Sequence, residues 1–197
     1  MQAGGYSPKL LLLYMLKTDL TKFNNSWYNL GASLFTRAIW YCINACIINS
    51  YCPSYSFKTF LLRLFGAKIG RNVVIKPKVN IKYPWNVTIG ENSWIGENVW
   101  LDSLCKIHIG ANCCLSQGAM LICGNHDYKK STFDLIVKDI FLEEGVWIGA
   151  GAIVCPGVIC KSHSVLSAGS VVTNNMEEYS IYQGNPAVKI KERNITE

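Results

Sequence analysis

From Ile69 onward, apolar side chains, all but one of them large aliphatics, return at every sixth position within successive runs. They run Ile69, Ile75 and Ile81, then Ile89, Ile95 and Leu101, then Ile109, Leu115 and Leu121, and finally Ile148, Val154, Cys160, Leu166 and Val172. A period of six is neither helical nor that of a long strand. It describes a short strand followed by a tight corner, with one aliphatic per hexapeptide turned inward and a small side chain four places later. Val73, Val79, Ser93, Val99, Cys105, Cys113, Ala119, Ala152, Val158, Ser164 and Ser170 fill the small places, and Trp85 is the exception. Three hexapeptides close a triangular turn. Turns stacked at about 4.8 Å predict a parallel β-helix of roughly five turns, about 25 Å tall. The dipeptide Ile-Gly marks the winding at 69–70, 89–90, 109–110 and 148–149. Taken as one series the steps are 20, 20 and 39 residues, and then 18 on to Leu166. The long step predicts one interruption, placed at 124–145, and it contains Gly124-Asn125-His126-Asp127-Tyr128. A repetitive scaffold broken once by an imidazole-bearing loop reads as an enzyme.

Before Ile69 the period is helical. Leu34, Ile39, Cys42, Ile43, Cys46 and Ile47 predict a helix over 30–51, stopped by Pro53. Ser56 is placed to cap a second short helix through Leu61, Leu62, Leu64 and Phe65, ended at Gly66. Residues 1–29 read as irregular, with turn material at Asn24-Asn25-Ser26. The expected organisation is an N-terminal, partly helical segment over 1–68 and a β-helix over 69–197 with a short C-terminal tail. Leu10–Met15 is apolar but short and lacks a cleavage site, so no signal peptide is read. Ala38–Phe57 has no charge and is nominally long enough to cross a bilayer. Asn44, Asn49, three serines and Pro53 make a span costly, which favours a helix lying at the membrane interface or packed on the column.

A hydrophobic content of 50% over 197 residues supports a substantial core and excludes a disordered chain. The net charge of +6 comes without a Lys/Arg run, so anionic small molecules or an anionic membrane surface are better partners than nucleic acid. Nine cysteines, an odd number with no C-x-x-C spacing, read as reduced thiols in a cytosol and give no structural zinc site.

The hexapeptides, together with Asp19-Leu20-Thr21-Lys22-Phe23-Asn24-Asn25-Ser26-Trp27-Tyr28, Leu62–Gly70, Tyr83-Pro84-Trp85, Ser93-Trp94-Ile95-Gly96, His126-Asp127-Tyr128 and Gly184-Asn185-Pro186-Ala187, carry a resemblance over roughly 17–197. The chain resembles the left-handed parallel β-helix acyltransferases. Its likeness is greatest to the O-acetyltransferases of the colanic-acid-biosynthesis type, relatives of the maltose and galactoside acetyltransferases. The left-handed winding comes from the resemblance, since ordinary parallel crossovers are right-handed.

The resemblance implies a homotrimer with acetyl-CoA and acceptor bound in clefts between neighbouring columns, and direct transfer without an acyl-enzyme. His126 would be the general base, with Asp127 either orienting it or stabilising the turn. Imidazole, which titrates at about pH 6.5 in water, suits that role and typically contributes about 10² to 10⁴ fold. The backbone N–H of Ala150 would meet the thioester and Trp147 the pantetheine arm. Ala168, one turn above Ala150, would also meet the arm. Lys191 would meet the CoA phosphates, with Lys189 and Arg193 nearby. The chain departs from its relatives at Asn174, where a CoA-reaching Lys is usual, at Val188, where an Arg follows Pro-x, and at Gly96, in place of an acceptor-contacting Asn. The sugar of those relatives therefore does not transfer to this chain.

The expected activity is acetyl-CoA-dependent O-acetylation of a sugar hydroxyl in a surface polysaccharide or its lipid-linked precursor. It would take place in the cytoplasm, with peripheral contact at the inner membrane face and without a metal. N-acetylation of an amino sugar is the nearest alternative. A γ-type carbonic anhydrase would need His108, His126 and His163 to converge at a subunit boundary, and their spacings of 18 and 37 residues oppose this. A non-catalytic β-helix module is the remaining reading. His108 and His163 are expected to be solvated, and Cys123 to be a packing residue.

Overall fold

The computed structural model describes residues 17–197. The Leu10–Met15 segment lies outside the described residues. The chain forms two compact units. One comprises 30–124 with 137–197, and the other holds Asn125–Ile136 together with the N-terminal segment that ends at Asn29.

The larger unit is a parallel β-helix. Its first sheet stacks Lys68–Ile69, Val87–Ile89, Ile107–Ile109, Ile140–Leu142 and Ile159–Cys160. The second stacks Val74–Ile75, Trp94–Ile95, Cys114–Leu115, Trp147–Ile148, Val165–Leu166 and Ser180–Gly184, and Ala187–Glu192 folds back antiparallel on the last of these. The third stacks Asn80–Ile81, Trp100–Asp102, Met120–Ile122, Ile153–Val154 and Val171–Val172. Five turns are complete and a sixth begins, with Met176 bridging Cys160. The six-residue register is the register of the core. From Ile75 to Val172 every inward aliphatic named above is at most 1% exposed.

The Ile-Gly marks do not stay on one face. Ile69, Ile89 and Ile109 are partners in the first sheet, but the next partner of Ile109 is Leu142, 33 residues on, and Ile148 pairs with Leu115 in the second sheet. Leu142 is followed by Glu143 rather than Gly, so it carries no mark. The interruption is therefore shorter than expected, occupying 123–139 between Met120–Ile122 and Ile140–Leu142. It enlarges the corner that already held the two surplus residues of each twenty-residue step. From the third sheet to the first, the inward positions are 8 residues apart at Ile81–Ile89 and Leu101–Ile109, and 21 apart at Leu121–Leu142. Trp85 breaks the small-residue rule because it lies in a 3-10 turn at that corner, Pro84–Asn86. There it stacks on Tyr83 at 5.1 Å and donates to the Leu30 carbonyl.

Two helices close the lower end. Helix α1, Leu34–Ile43, is shorter than expected and continues as a π-helical turn over Asn44–Ile48. Trp40 is 2% exposed, and its indole N–H donates to the Ile81 carbonyl at 3.0 Å. Helix α2, Tyr55–Leu64, is capped by Ser54, whose hydroxyl accepts from the Phe57 N–H, and not by Ser56. Gly66 ends it at φ +91°, where a Cβ is disfavoured. Leu62 and Lys58 are fully buried, and the Lys58 ammonium donates to the Lys76 carbonyl at 3.0 Å. Burial holds the Lys58 pKa below the usual lysine value. Among the described residues no helix is long and apolar enough to cross a membrane.

Candidate active site

The smaller unit holds His126. A hairpin of Gly124–His126 and Leu135–Val137 carries a tip braced by backbone bonds from Asp127 to Asp134, Lys130 to Asp127 and Phe133 to Lys130. The Asp19 N–H donates to the Ser131 carbonyl, tying the N-terminal segment to the tip. Nδ1 of His126 lies 2.9 Å from the Phe133 carbonyl oxygen. That oxygen only accepts, so Nδ1 carries a proton, and in the neutral ring Nε2 presents the lone pair. The Phe133 ring stacks on the imidazole at 4.4 Å and 8°, and Phe23 leans on it at 5.7 Å. Phe133 reaches this position at φ +53°, a left-handed conformation that bulky side chains rarely adopt. Of the two roles open to Asp127, the structure shows the turn: its carboxylate accepts from the Lys129 N–H at 3.1 Å. The group that orients the imidazole is Phe133.

On the larger unit, a cavity of about 580 Å³ brings together Trp147, Ala150, Ala168 and Lys191, the four residues expected to meet acetyl-CoA. Three backbone layers build it. Trp147–Ile148 sits between Cys114–Leu115 below and Val165–Leu166 above, and the Gly169 N–H donates to the Ala150 carbonyl, so Ala150 and Ala168 are one turn apart. Gly149 permits the close approach: a Cβ there would lie 2.5 Å from the Ala168 nitrogen. The N–H groups of Ala150 and Ala168 have no partner among the described residues, which leaves two donors for a ligand. The Trp147 indole is 46% exposed and fixed by its N–H bond to the Ser116 hydroxyl at 2.9 Å.

The tail cations separate by what they touch. Lys189 is held by Glu177 at 2.6 Å and Glu192 at 2.8 Å, and these carboxylates raise its pKa. Arg193 donates to the carbonyls of Gly145 and His163. Lys191 has no carboxylate partner among the described residues and lines the cavity.

The family described as the hexapeptide repeat of succinyl-transferase matches residues 86–122 and 140–174. The chain is 38% identical over 181 residues to a colanic acid biosynthesis acetyltransferase, WcaF, of Escherichia coli K12, covering 91% of this chain and 99% of that protein. The chain belongs to the hexapeptide-repeat acetyltransferases. In fold it is similar to a hexapeptide-repeat acetyltransferase of Vibrio cholerae solved with acetyl-CoA, with TM-score 0.75, 22% identity and coverage of 84% and 92% of the two chains. It is equally similar to a maltose O-acetyltransferase of Clostridium difficile, with TM-score 0.75, 23% identity and coverage of 82% and 88%.

Within this hexapeptide-repeat acetyltransferase, Cys123 is fully buried, and burial pushes its thiol up to about 11. His163 leans on Tyr179 at 4.8 Å, and His108 stands on the exposed side of the first sheet near Phe141. Among the described residues no group of three or more His, Cys, Asp or Glu is placed to hold a metal ion. Sequence reading missed Ser116, Gln117 and Gln183, which line the cavity. The pairing of Leu115 with Ile148 sets Ser116 beside Gly149, but that pairing was hidden by the uneven step before Ile148.

Proposed function

We propose that the protein is an acetyl-CoA-dependent O-acetyltransferase acting on a sugar hydroxyl of a surface polysaccharide or its lipid-linked precursor. The observation that carries this reading is the cavity in which an oriented indole meets two N–H groups and a lysine that have no partner among the described residues. In the reaction, Nε2 of His126 removes the acceptor hydroxyl proton as the oxygen attacks the thioester carbonyl. The Ala150 N–H donates to the oxyanion. Collapse breaks the C–S bond, and the imidazolium returns its proton to the departing thiolate. Trp147 and Ala168 line the pantetheine arm, and Lys191 meets the phosphates. WcaF is named for colanic acid biosynthesis, which supports a saccharide acceptor.

The protein acts as a homotrimer in the cytoplasm. Phe57, Phe60 and Leu64 form an exposed stripe on α2, which with Leu34 and Phe35 on α1 supports peripheral contact with the membrane face. The test is an acceptor screen with acetyl-CoA that follows free thiol, run beside His126→Ala. Turnover should fall at least about a hundredfold while the thermal midpoint holds. Equal turnover would refute the role of His126.

A further inference from the structure

A second cavity, of about 370 Å³, lies on the larger unit between α1 and the outward side of the third sheet. Arg37, Trp40, Tyr41 and Asn44 enter it at i, i+3, i+4 and i+7, so one helical face supplies one wall. The opposite wall is Asn80 and its register partner Trp100, with Lys82 and Tyr83 beside them. The two amides and the lysine of this lining are already committed. Asn44 donates to the Asn80 side chain at 2.7 Å and accepts from the Ile81 N–H, and Lys82 is neutralised by Asp102 at 3.0 Å. Arg37 is the exception: its buried Nε has no hydrogen-bond partner, and no carboxylate pairs with it among the described residues.

The terminal N–H groups of Arg37 likewise have no partner among the described residues, and a guanidinium without acceptors is unfavourable unless an anion meets those groups. A guanidinium fits a phosphate or carboxylate through paired hydrogen bonds. Trp100 and Tyr41, residues 38% and 75% exposed, line the cavity with aromatic rings suited to the apolar face of a sugar ring. The volume lies in the range of small-ligand clefts, about 300–1,000 Å³.

We propose that this cavity binds an anionic saccharide, with its phosphate or carboxylate on Arg37 and its ring against Trp100 and Tyr41. The ligand's role as acceptor rests on the acetyl-transfer reading; its binding does not. Isothermal titration of the full chain without acetyl-CoA tests it, using α-D-glucose 1-phosphate, D-glucuronate, D-glucose and inorganic phosphate. Either or both charged sugars should bind at least about tenfold more tightly than glucose or phosphate alone, and the stronger of the two identifies the anionic group. Arg37→Gln should remove that preference, weakening the charged sugar about ten- to a hundredfold, while Arg37→Lys restores part of it. Trp100→Ala, which leaves α1 untouched, should weaken every sugar and leave phosphate unchanged. Equal binding of glucose and the charged sugars, or an unaltered Arg37→Gln protein, overturns the proposal, as does phosphate binding as tightly as the sugar phosphate. If a charged sugar binds but no acceptor releases thiol from acetyl-CoA, the acetyl-transfer reading falls and the pocket stands.

Discussion

Lys189 and Lys191 stand two places apart on one strand, and only the carboxylates around them tell them apart. Lys189 is compensated by Glu177 and Glu192, whereas Lys191 faces the cavity with its charge unspent. An exposed ion pair contributes about 1 kcal/mol or less. Lys191→Ala should therefore raise the KM for acetyl-CoA about three- to fivefold with kcat nearly unchanged, and Lys189→Ala should shift it less than about twofold. Steady-state kinetics on both variants decides, and equal effects would remove Lys191 from the phosphate site. The cysteines divide in the same way, by environment. Cys42 and Cys46 are exposed, while Cys113 and Cys123 are buried and pushed up to about 11. At pH 8 a thiol of that pKa is ionised about one part in a thousand, and access is closed as well. Iodoacetamide should label Cys42 and Cys46 and spare Cys113, Cys123 and Cys160 until the protein unfolds. Mass spectrometry checks this, and early labelling of Cys123 with matching loss of turnover would make it a nucleophile.

Helix α2 shows where reading along the chain fails by one small step. Ser54 and Ser56 both precede the apolar run, and no local feature chooses between them. In the structure Ser54 accepts from the Phe57 N–H, while the Ser56 carbonyl accepts from Thr59 inside the helix. Ser54→Ala should cost about 1 kcal/mol in urea unfolding, and Ser56→Ala less than about 0.5 kcal/mol. The reverse order would move the cap back to Ser56. The column was legible because one inward aliphatic every sixth residue leaves a mark in each turn. Leu142 escaped because Glu143 follows it, and the frame of the later turns relative to the earlier ones escaped with it. The four cavity residues were legible through motif resemblance, and Ser116 was not, because its place beside Gly149 depends on that hidden frame. Phe133 was invisible for another reason. Its carbonyl reaches His126 only through a left-handed backbone at a bulky residue, which local preference argues against.

A stack of turns is held mainly by contacts between neighbours, so its stability is distributed along one axis. Trp94–Ile95 has a hydrogen-bonded partner on both sides, whereas Val74–Ile75 has one strand partner and relies on the helices beneath it. Lys58 donates to the Lys76 carbonyl and Trp40 to that of Ile81, so α1 and α2 serve as the missing lower turn. Leu62 is fully buried in this contact. Leu62→Ala should remove about 2–5 kcal/mol from the lower end. If the column opens turn by turn, native-state hydrogen exchange should accelerate first at Lys76 and Ile81, while Val154 and Leu166, several turns higher, keep their protection. If all four amides accelerate together, the β-helix unfolds as a single cooperative body and the helices stabilise every turn alike. The variant then also separates two routes to lost activity. A lower end that opens alone disturbs the Arg37 pocket and spares the cavity around Trp147, because the two cavities draw on different turns.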